Sequence, residues 1–234
     1  MGVCGEKVML SWSSGKDCAW ALHILRRQGV NVVGLLSTFN EAFGRMAMHS
    51  TRREIAEAQA EAAGLPLWAV MLPWPCSNEA YEERIGEAMR RVKEAGVTAM
   101  AFGDLFLEDI RKYREEKMAG TGIRPIFPLW GTRKDTPGLA REMLAAGLKA
   151  FVSSVDPKQI DRSFVGRAYD AGFVGALPPA ADPCGENGEF HTICWDGPMF
   201  MRPVALRAGE VVERDGFWYA DFELEGGEGR PPTA

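Results

Sequence analysis

The sequence predicts an α/β protein with a doubly wound, mostly parallel sheet and a smaller C-terminal α+β part. The first observation is that apolar runs alternate with helical periodicity, the runs lying at 8–10, 31–39, 67–72 and 97–102. Such alternation is typical of parallel strands joined by crossover helices. The second observation is that three of these runs are followed by small or polar residues. Because ligands bind beyond the carboxyl ends of parallel strands, we expect these residues to meet in one crevice.

Helices are expected between these strands, at 19–27, 50–63 and 79–95, with Asn78 capping the third. The later elements are predicted in this order: a charged helix 105–118, an extended segment 126–131, a helix 136–146 begun by Thr136 and Pro137, a strand 148–155, a helix 159–171, a strand 190–195, and hairpins over 204–224 with turns at Ala208-Gly209 and Asp215-Gly216.

The chain is predicted to divide into two parts and a tail. Beyond residues 122–130 the sequence is less like the alternating first half. We therefore predict a nucleotide-binding domain over 1–125 and a substrate-binding part over 126–225. Residues 226–234 are rich in glycine and proline and are expected to be a mobile tail.

Composition excludes several classes of protein. The net charge of −5 and the lack of a Lys/Arg block argue against a protein that grips nucleic acid. No run of eighteen apolar residues is present, and residues 1–6 are too short and polar for a signal peptide, so no membrane partner is expected. Five cysteines without a C-x-x-C pair favour reduced thiols and a cytoplasmic protein. Seven tryptophans and the aromatic run near Trp130 make a homodimer a further expectation.

The turn that follows the first apolar run is a candidate anion site. It reads Ser13, Ser14, Gly15, Lys16, Asp17, Cys18 and leads directly into a helix. The free N–H groups and the dipole of a helix N-terminus favour negative charge, and serine hydroxyls and a lysine add donors. An aspartate beside a phosphate is best explained by a bridging Mg²⁺. The alternative is an ordinary turn in which Ser13 or Ser14 caps the helix.

A second cluster of chemically active residues lies at 182–192. Glu186 and Glu189 stand between glycines and are suited to hold an ammonium group or a metal, while Asn187 is suited to a carbonyl or amide. His191 and Thr192 are candidates for positioning a carboxylate. Two alternatives remain: a polar turn leading into a hairpin, and a zinc site formed by Cys184, His191 and Cys194.

Several motifs resemble known families. The turn 13–18 is similar to the S-G-G-K-D-S pyrophosphate loop of the N-type ATP pyrophosphatases, which have the HUP-like adenine nucleotide alpha-hydrolase fold; Ser14 and Cys18 stand where glycine and serine are usual. Residues 185–192 and 196–200 resemble the G-E-x-G-E-[FY]-x-T and D-x-P-[LM]-F signature of the diphthine–ammonia ligase (diphthamide synthetase) family. Phe102-Gly103-Asp104 and Pro128-Leu129-Trp130 also resemble that family, so the likeness runs from about residue 7 to 200.

The resemblance implies an ATP-dependent ligase with Mg²⁺ as a cofactor. A carboxylate substrate, free or carried on a protein (diphthine on an elongation factor in the family), would become an acyl-adenylate with release of pyrophosphate, and ammonia would then displace AMP. The catalytic residues implied are Lys16, Asp17, Glu186 and Glu189, with Asp17 also holding the metal. ATP would be bound by the turn 13–18 and by Ser37, Thr38, His49, Gly103 and Asp104. Substrate would be bound by Tyr113, Arg114, Gly185, Glu186, Asn187, Glu189, His191 and Thr192.

Structural interpretations stay open for some of these residues. Asp104 also suits a helix N-cap, Asp17 an acid in the first helical turn, and Tyr113 and Arg114 a solvated helix face. His49 suits capping or packing equally well. Two other functions remain as well: another ATP pyrophosphatase-class enzyme acting on a different acceptor, and a non-catalytic ATP-binding sensor.

Overall fold

The computed structural model describes residues 5–46 and 50–226, which form two sheets and six α-helices. The elements of the first half are β1 (Lys7–Ser11), α1 (Lys16–Arg27), β2 (Asn31–Asn40), β3 (Arg45–Met46), α2 (Arg53–Ala62), β4 (Leu67–Leu72), α3 (Asn78–Glu94), β5 (Val97–Ala101), α4 (Glu108–Met118) and β6 (Arg124–Ile126). Those of the second half are α5 (Thr136–Ala145), β7 (Lys149–Val155), α6 (Ala171–Ala176), β8 (Phe190–Asp196), β9 (Leu206–Arg214) and β10 (Phe217–Leu224).

The first sheet is parallel except at one short edge strand. Its order is β4-β2-β1-β5-β6, and every neighbouring pair in that order is parallel. The short β3 adds antiparallel to the far end of β2. Alternate residues of β1 face opposite sides, so Val8 and Leu10 pack with α1 and α2 while Met9 packs with α3 and α4. The predicted doubly wound α/β fold is confirmed.

The second sheet is antiparallel, in the order β8-β7-β10-β9. It lies on the α1–α2 side, where residues of β7 and β8 share one apolar core with those of α1. An ion-pair cluster also joins the halves: Asp221 of β10 accepts from Arg45 at 2.7 Å and from Arg52 at 2.6 Å. These guanidinium groups hold the pKa of Asp221 at about 2, against the effect of its partial burial.

The prediction of a helix over 159–171 is wrong. A single 3₁₀ turn, Arg162–Phe164, and the short α6 stand there instead. The side chain of Asp170 caps α6 by accepting from Phe173 N at 2.7 Å. The intervening backbone pairs with β7, since Gly166 N donates to Val152 O at 2.8 Å and Tyr169 N to Ala150 O at 2.8 Å. Pairing with a strand that is distant in sequence thus overrides local helical periodicity.

Smaller corrections concern caps and turns. Ser77, not Asn78, caps α3 through its hydroxyl oxygen, and Asp135 rather than Thr136 precedes α5. The charged helix begins at Glu108 rather than at residue 105. The hairpin turn at Asp215-Gly216 is confirmed, but Ala208-Gly209 lies inside β9, where a Cβ on Gly209 would contact the Asp221 side chain at 3.4 Å.

The predicted domain limits remain predictions. The strand β6 spans the proposed boundary at 125/126. The predicted tail lies outside the described residues except for Gly226. No helix in the described ranges has the length and apolar character needed to cross a membrane.

Candidate active site

The anion turn, residues 12–16, connects β1 to α1 without a side-chain cap. Gly15 is the N-cap residue, with φ −80° and ψ 171°, so no side chain of the turn itself caps α1. The alternative in which Ser13 or Ser14 caps the helix is therefore wrong. A Cβ on Gly15 would lie 3.3 Å from the main-chain oxygen of Thr192, so a small residue is needed where β8 approaches the turn.

Ser14 has a left-handed backbone conformation, with φ +68°. Its carbonyl oxygen accepts from Cys194 N at 2.8 Å and from Gln59 Nε2 at 3.1 Å. Both bonds come from elsewhere in the chain, because Cys194 lies on β8 and Gln59 on α2. The tertiary structure therefore holds a conformation that a serine does not favour, at the position where the pyrophosphatase loop has glycine.

We expect Ser14→Gly to raise the free energy of unfolding by ~0.5 kcal/mol, because glycine relieves the left-handed strain but loses more chain entropy on folding. Ser14→Ala, which keeps the Cβ, is expected to give no gain. The control Ser13→Gly is expected to destabilise, since Ser13 has no positive φ. Chemical denaturation of the three variants tests this, and a Ser14→Gly variant less stable than the Ser13→Gly control contradicts it.

Lys16 is the first residue of α1, and its side chain is buried, with the residue 1% exposed. Its ammonium group donates to both oxygens of Asp17, at 3.0 and 2.9 Å, and to the main-chain oxygen of Cys184. It also lies 5.5 Å from the ring centre of Tyr169 and 5.4 Å from that of Phe190. Burial disfavours the charge, but the Asp17 carboxylate outweighs it and raises the pKa of Lys16.

Cys18 contacts the anion turn and supports its backbone conformation, and Gly103 lies against the first turn of α1. The Cys18 thiol donates to Gly15 O at 3.1 Å and accepts from the Ser13 hydroxyl at 3.4 Å, and burial raises its pKa to about 11. A Cβ on Gly103 would lie 2.9 Å from Cys18 N, so the end of β5 contacts the first turn of α1 directly. Only glycine permits this approach.

The acidic loop, residues 182–189, is held by its own carboxylates. Glu189 is 2% exposed and accepts from Asp182 N at 2.8 Å and from the main-chain and side-chain nitrogens of Asn187 at 3.0 and 2.9 Å. Gly185 has φ +72°, and a Cβ there would lie 2.7 Å from Phe190 O. Glu189 and Asn187 thus fold the loop, and their assignment to substrate stays a prediction.

Glu186 reaches out of this loop toward the parallel sheet. Its carboxylate accepts from Leu105 N at 2.7 Å and from Phe106 N at 3.4 Å, in the segment between β5 and α4. Burial raises the pKa of Glu186 to about 7, in spite of the bond from Leu105. Burial also lowers the pKa of His191 to about 4. Glu186 is therefore the group of this loop best suited to exchange a proton near neutral pH.

The anion turn and the acidic loop touch. The Lys16 ammonium group donates to the Cys184 carbonyl of the loop. The Lys16 main-chain N–H donates to Thr192 Oγ1 at 3.0 Å, on the strand β8 that follows the loop. Two stretches more than 160 residues apart in sequence are thus brought to one place.

A cavity of about 650 Å³ opens beside the anion turn, at the carboxyl ends of β1, β2, β4 and β5. Four residues predicted to bind ATP or substrate line it: Ser13, Thr38, Tyr113 and Arg114.

Ser37 is buried and donates to Trp12 O at 2.6 Å. Its assignment to ATP is an untested prediction.

Asp104 faces Arg114 at 3.5 Å, and burial raises its pKa. Asp104 is not a helix cap, because α4 begins four residues later. His49 lies outside the described residues.

The zinc alternative is not supported. The Cys184 thiol faces Thr136 O at 3.6 Å, and the Cys194 thiol faces Asp196 O at 3.5 Å. Within 5–46 and 50–226, no group of three or more His, Cys, Asp and Glu is placed to hold a metal ion. A magnesium site needs fewer protein ligands, because magnesium is commonly held by one or two carboxylates together with substrate phosphates. The Asp17 side chain is 27% exposed, and both its oxygens accept from the Lys16 ammonium group. Its role as a magnesium ligand stays a prediction.

Sequence reasoning missed Gln59, a buried amide that joins the anion turn to β8. Its Nε2 donates to Ser14 O at 3.1 Å and to Cys194 O at 2.6 Å, and its Oε1 accepts from Trp12 Nε1 at 2.9 Å. The available signal was a lone amide on the apolar face of α2, whose other buried residues are Ile55 and three alanines.

Family models now account for nearly all of the described chain. The diphthamide synthase N-terminal domain matches residues 6–125, and the diphthamide synthase C-terminal domain matches residues 135–224. The chain belongs to the diphthamide synthase family. The resemblance inferred from the 185–192 and 196–200 motifs is confirmed.

Curated relatives in this family share low identity with the chain. A diphthine–ammonia ligase of Schizosaccharomyces pombe is 24% identical over 226 residues, covering 88% of this chain and 37% of the relative. One of Danio rerio is 24% identical over 226 residues, covering 86% of each. One of Homo sapiens is 26% identical over 144 residues, covering 58% of this chain and 52% of the relative. The chain spans little more than a third of the fission yeast protein but most of the fish one.

Proposed function

We propose that this member of the diphthamide synthase family is an ATP-dependent ligase that joins a carboxylate and ammonia into an amide. One observation carries the proposal: the anion turn contacts the acidic loop through Lys16 and Cys184, and through Trp12 and Ser13 it lines a cavity large enough for a nucleotide. The names of the curated relatives agree with this reaction class.

The anion turn is proposed to bind the β- and γ-phosphates of ATP. Lys16 and the N-terminus of α1 would stabilise the charge that grows on the leaving pyrophosphate, and Asp17 would hold Mg²⁺ against the phosphates. The substrate carboxylate attacks the α-phosphorus, which gives an acyl-adenylate and pyrophosphate. Ammonia then attacks the acyl carbon, and AMP leaves.

Glu186 is proposed to accept the proton that the attacking nitrogen must lose. Its pKa of about 7 lets it hold or release a proton near neutral pH, and the loop that carries it contacts Lys16 through Cys184 O. Diphthine is the first acceptor to test, because the relatives are named for it. We propose the cytoplasm as the compartment, since the four described cysteines are free.

The test is ATP–pyrophosphate exchange by the purified chain with Mg²⁺ and a panel of carboxylates that includes diphthine-bearing elongation factor. We expect exchange with an accepted carboxylate, and equal amounts of AMP and amide once ammonium is added. Asp17→Asn is expected to abolish both signals while the protein stays folded by circular dichroism. Release of ADP, or no exchange with any acceptor, overturns the proposal; unchanged exchange in Asp17→Asn removes the metal role of Asp17.

A further inference from the structure

The main chain of Leu105 is held from two directions. Its N–H donates to the Glu186 carboxylate at 2.7 Å, and its carbonyl oxygen accepts from Gly131 N at 2.9 Å. Leu105 is buried and lies in the short segment between β5 and α4. The acidic loop is therefore joined, through one residue, to residues 127–131, named here the connecting segment. That segment lies between the residues matched by the two family domains.

Arg111 of α4 contacts both aromatic rings of the connecting segment. Its guanidinium carbon lies 5.1 Å from the centre of the Phe127 ring and 4.8 Å from that of Trp130. The two rings meet edge to face with their centres 5.7 Å apart, and Trp130 N donates to Phe127 O at 3.2 Å. A guanidinium group is attracted to an aromatic face at such distances. Arg111 therefore stabilises the turn that places Gly131 against Leu105.

The two ends of the connecting segment are held by different contacts. At the first end, Phe127 stacks on Phe102, the residue after β5, with ring centres 5.7 Å apart. At the second end, the guanidinium group of Arg111 is itself oriented by Glu115, since Arg111 Nε donates to Glu115 Oε1 at 2.9 Å. Replacing Arg111 is therefore expected to loosen the Trp130 end of the segment while Phe127 stays in place.

We propose that Arg111 is a positioning residue for Glu186. It acts through the connecting segment, which it contacts, and through the Leu105 main chain, which that segment bonds. The inference rests on the proposed function, in which Glu186 accepts a proton. It also gives a role to Pro128-Leu129-Trp130, a motif that lies outside both the anion turn and the acidic loop.

The hydrogen bond from Leu105 N favours the charged form of Glu186, because it is donated to the carboxylate. Burial raises the pKa of Glu186 to about 7, and the charges of Asp17 and Asp104 act in the same direction. The Leu105 bond and the Lys16 ammonium group lower this pKa. Weakening the bond is therefore expected to raise the pKa of Glu186 further.

The pKa of Glu186 can be measured in the ligand-free full chain by carbon-13 NMR, with its carboxyl signal assigned by the absence of that signal in Glu186→Gln. In Arg111→Gln we expect this pKa to rise by about 0.5. Trp130→Leu removes the other side of the contact and is expected to give a rise of similar size. The matched control is Lys112→Gln, at the next residue of α4, where the lysine side chain is 76% exposed. The control is expected to leave the pKa of Glu186 unchanged.

The dependence of turnover on pH separates positioning from a general structural effect. Because a smaller fraction of Glu186 is ionised at pH 7, Arg111→Gln is expected to lower turnover about twofold at pH 7 and to match the unmodified chain at pH 8.5. Arg111→Lys is expected to behave like Arg111→Gln, since lysine lacks the planar group that lies over the two rings.

An unchanged pKa of Glu186 in folded Arg111→Gln and Trp130→Leu variants overturns the inference, and so does an equal shift in Lys112→Gln. A loss of turnover that is the same at pH 7 and at pH 8.5 also overturns it, because Arg111 would then be a structural residue only. Failure of the proposed function is distinct: the pKa of Glu186 would still shift in Arg111→Gln, but no carboxylate would support pyrophosphate exchange.

Discussion

Replacing Lys16 with methionine is expected to lower turnover more than ~100-fold and the free energy of unfolding by ~3 kcal/mol. Methionine is of similar length and can still pack beside the Tyr169 and Phe190 rings, whose cation–π contacts with Lys16 are made by the ammonium group. The ammonium group is lost, however, which leaves Asp17 and the Cys184 carbonyl without their donor. The loss of turnover follows because no other buried cation stands at the anion turn in the described chain.

The double variant Lys16→Met/Asp17→Asn separates stability from catalysis. Removing both charges eliminates the uncompensated carboxylate, so most of the lost stability is expected to return. Turnover is expected to stay absent, because the cation and the proposed metal ligand are both gone. Denaturation curves and AMP release measure the two quantities. A double variant that regains turnover together with stability would show that Lys16 acts only as a structural residue.

Replacing Gln59 with leucine is expected to lower the free energy of unfolding by ~3 kcal/mol. The change removes a hydrogen-bond partner from three buried groups, namely Trp12 Nε1, Ser14 O and Cys194 O, of which Ser14 O keeps its bond from Cys194 N. Because Ser14 then loses one of the two bonds that hold its left-handed conformation, we also expect the KM for ATP to rise about tenfold. The matched control is Gln28→Leu on the surface at the end of α1, where a change within ~0.5 kcal/mol is expected.

Gln59→Glu tests the hydrogen-bond pattern at constant shape. A carboxylate cannot donate to the Ser14 and Cys194 oxygens, so the variant is expected to be destabilised at pH 7. The new carboxyl group has a folded pKa raised above its unfolded value, because only the protonated form can donate. The stability that the protonated carboxyl group contributes is therefore fully present below its unfolded pKa, and it is lost as the pH rises through the folded pKa. A variant whose stability does not improve from pH 7 to pH 5 contradicts this assignment.

The sheet and the two motifs could be predicted from the sequence because their signals are local. Apolar runs such as that of β1 alternate with amphipathic helices, and the anion turn lies where a strand meets a helix. The helix predicted at 159–171 failed because the backbone at Gly166 and Tyr169 pairs with β7, and such a partner leaves no mark on local periodicity. Spacing along the chain also does not reveal which carboxylate is hydrogen-bonded within its own loop. Glu186 and Glu189 are equivalent in the sequence, yet one folds the loop and the other reaches across to Leu105.

The contacts that hold the anion turn cross the boundary between the two family domains. Cys194 of β8 fixes the Ser14 carbonyl, and Asp221 of β10 holds Arg45 and Arg52. An isolated N-terminal fragment would therefore have the anion-turn sequence without the contacts that shape it. Exchange of one half with that of a homologue, or an insertion or deletion in either half, would therefore have to preserve this shared interface.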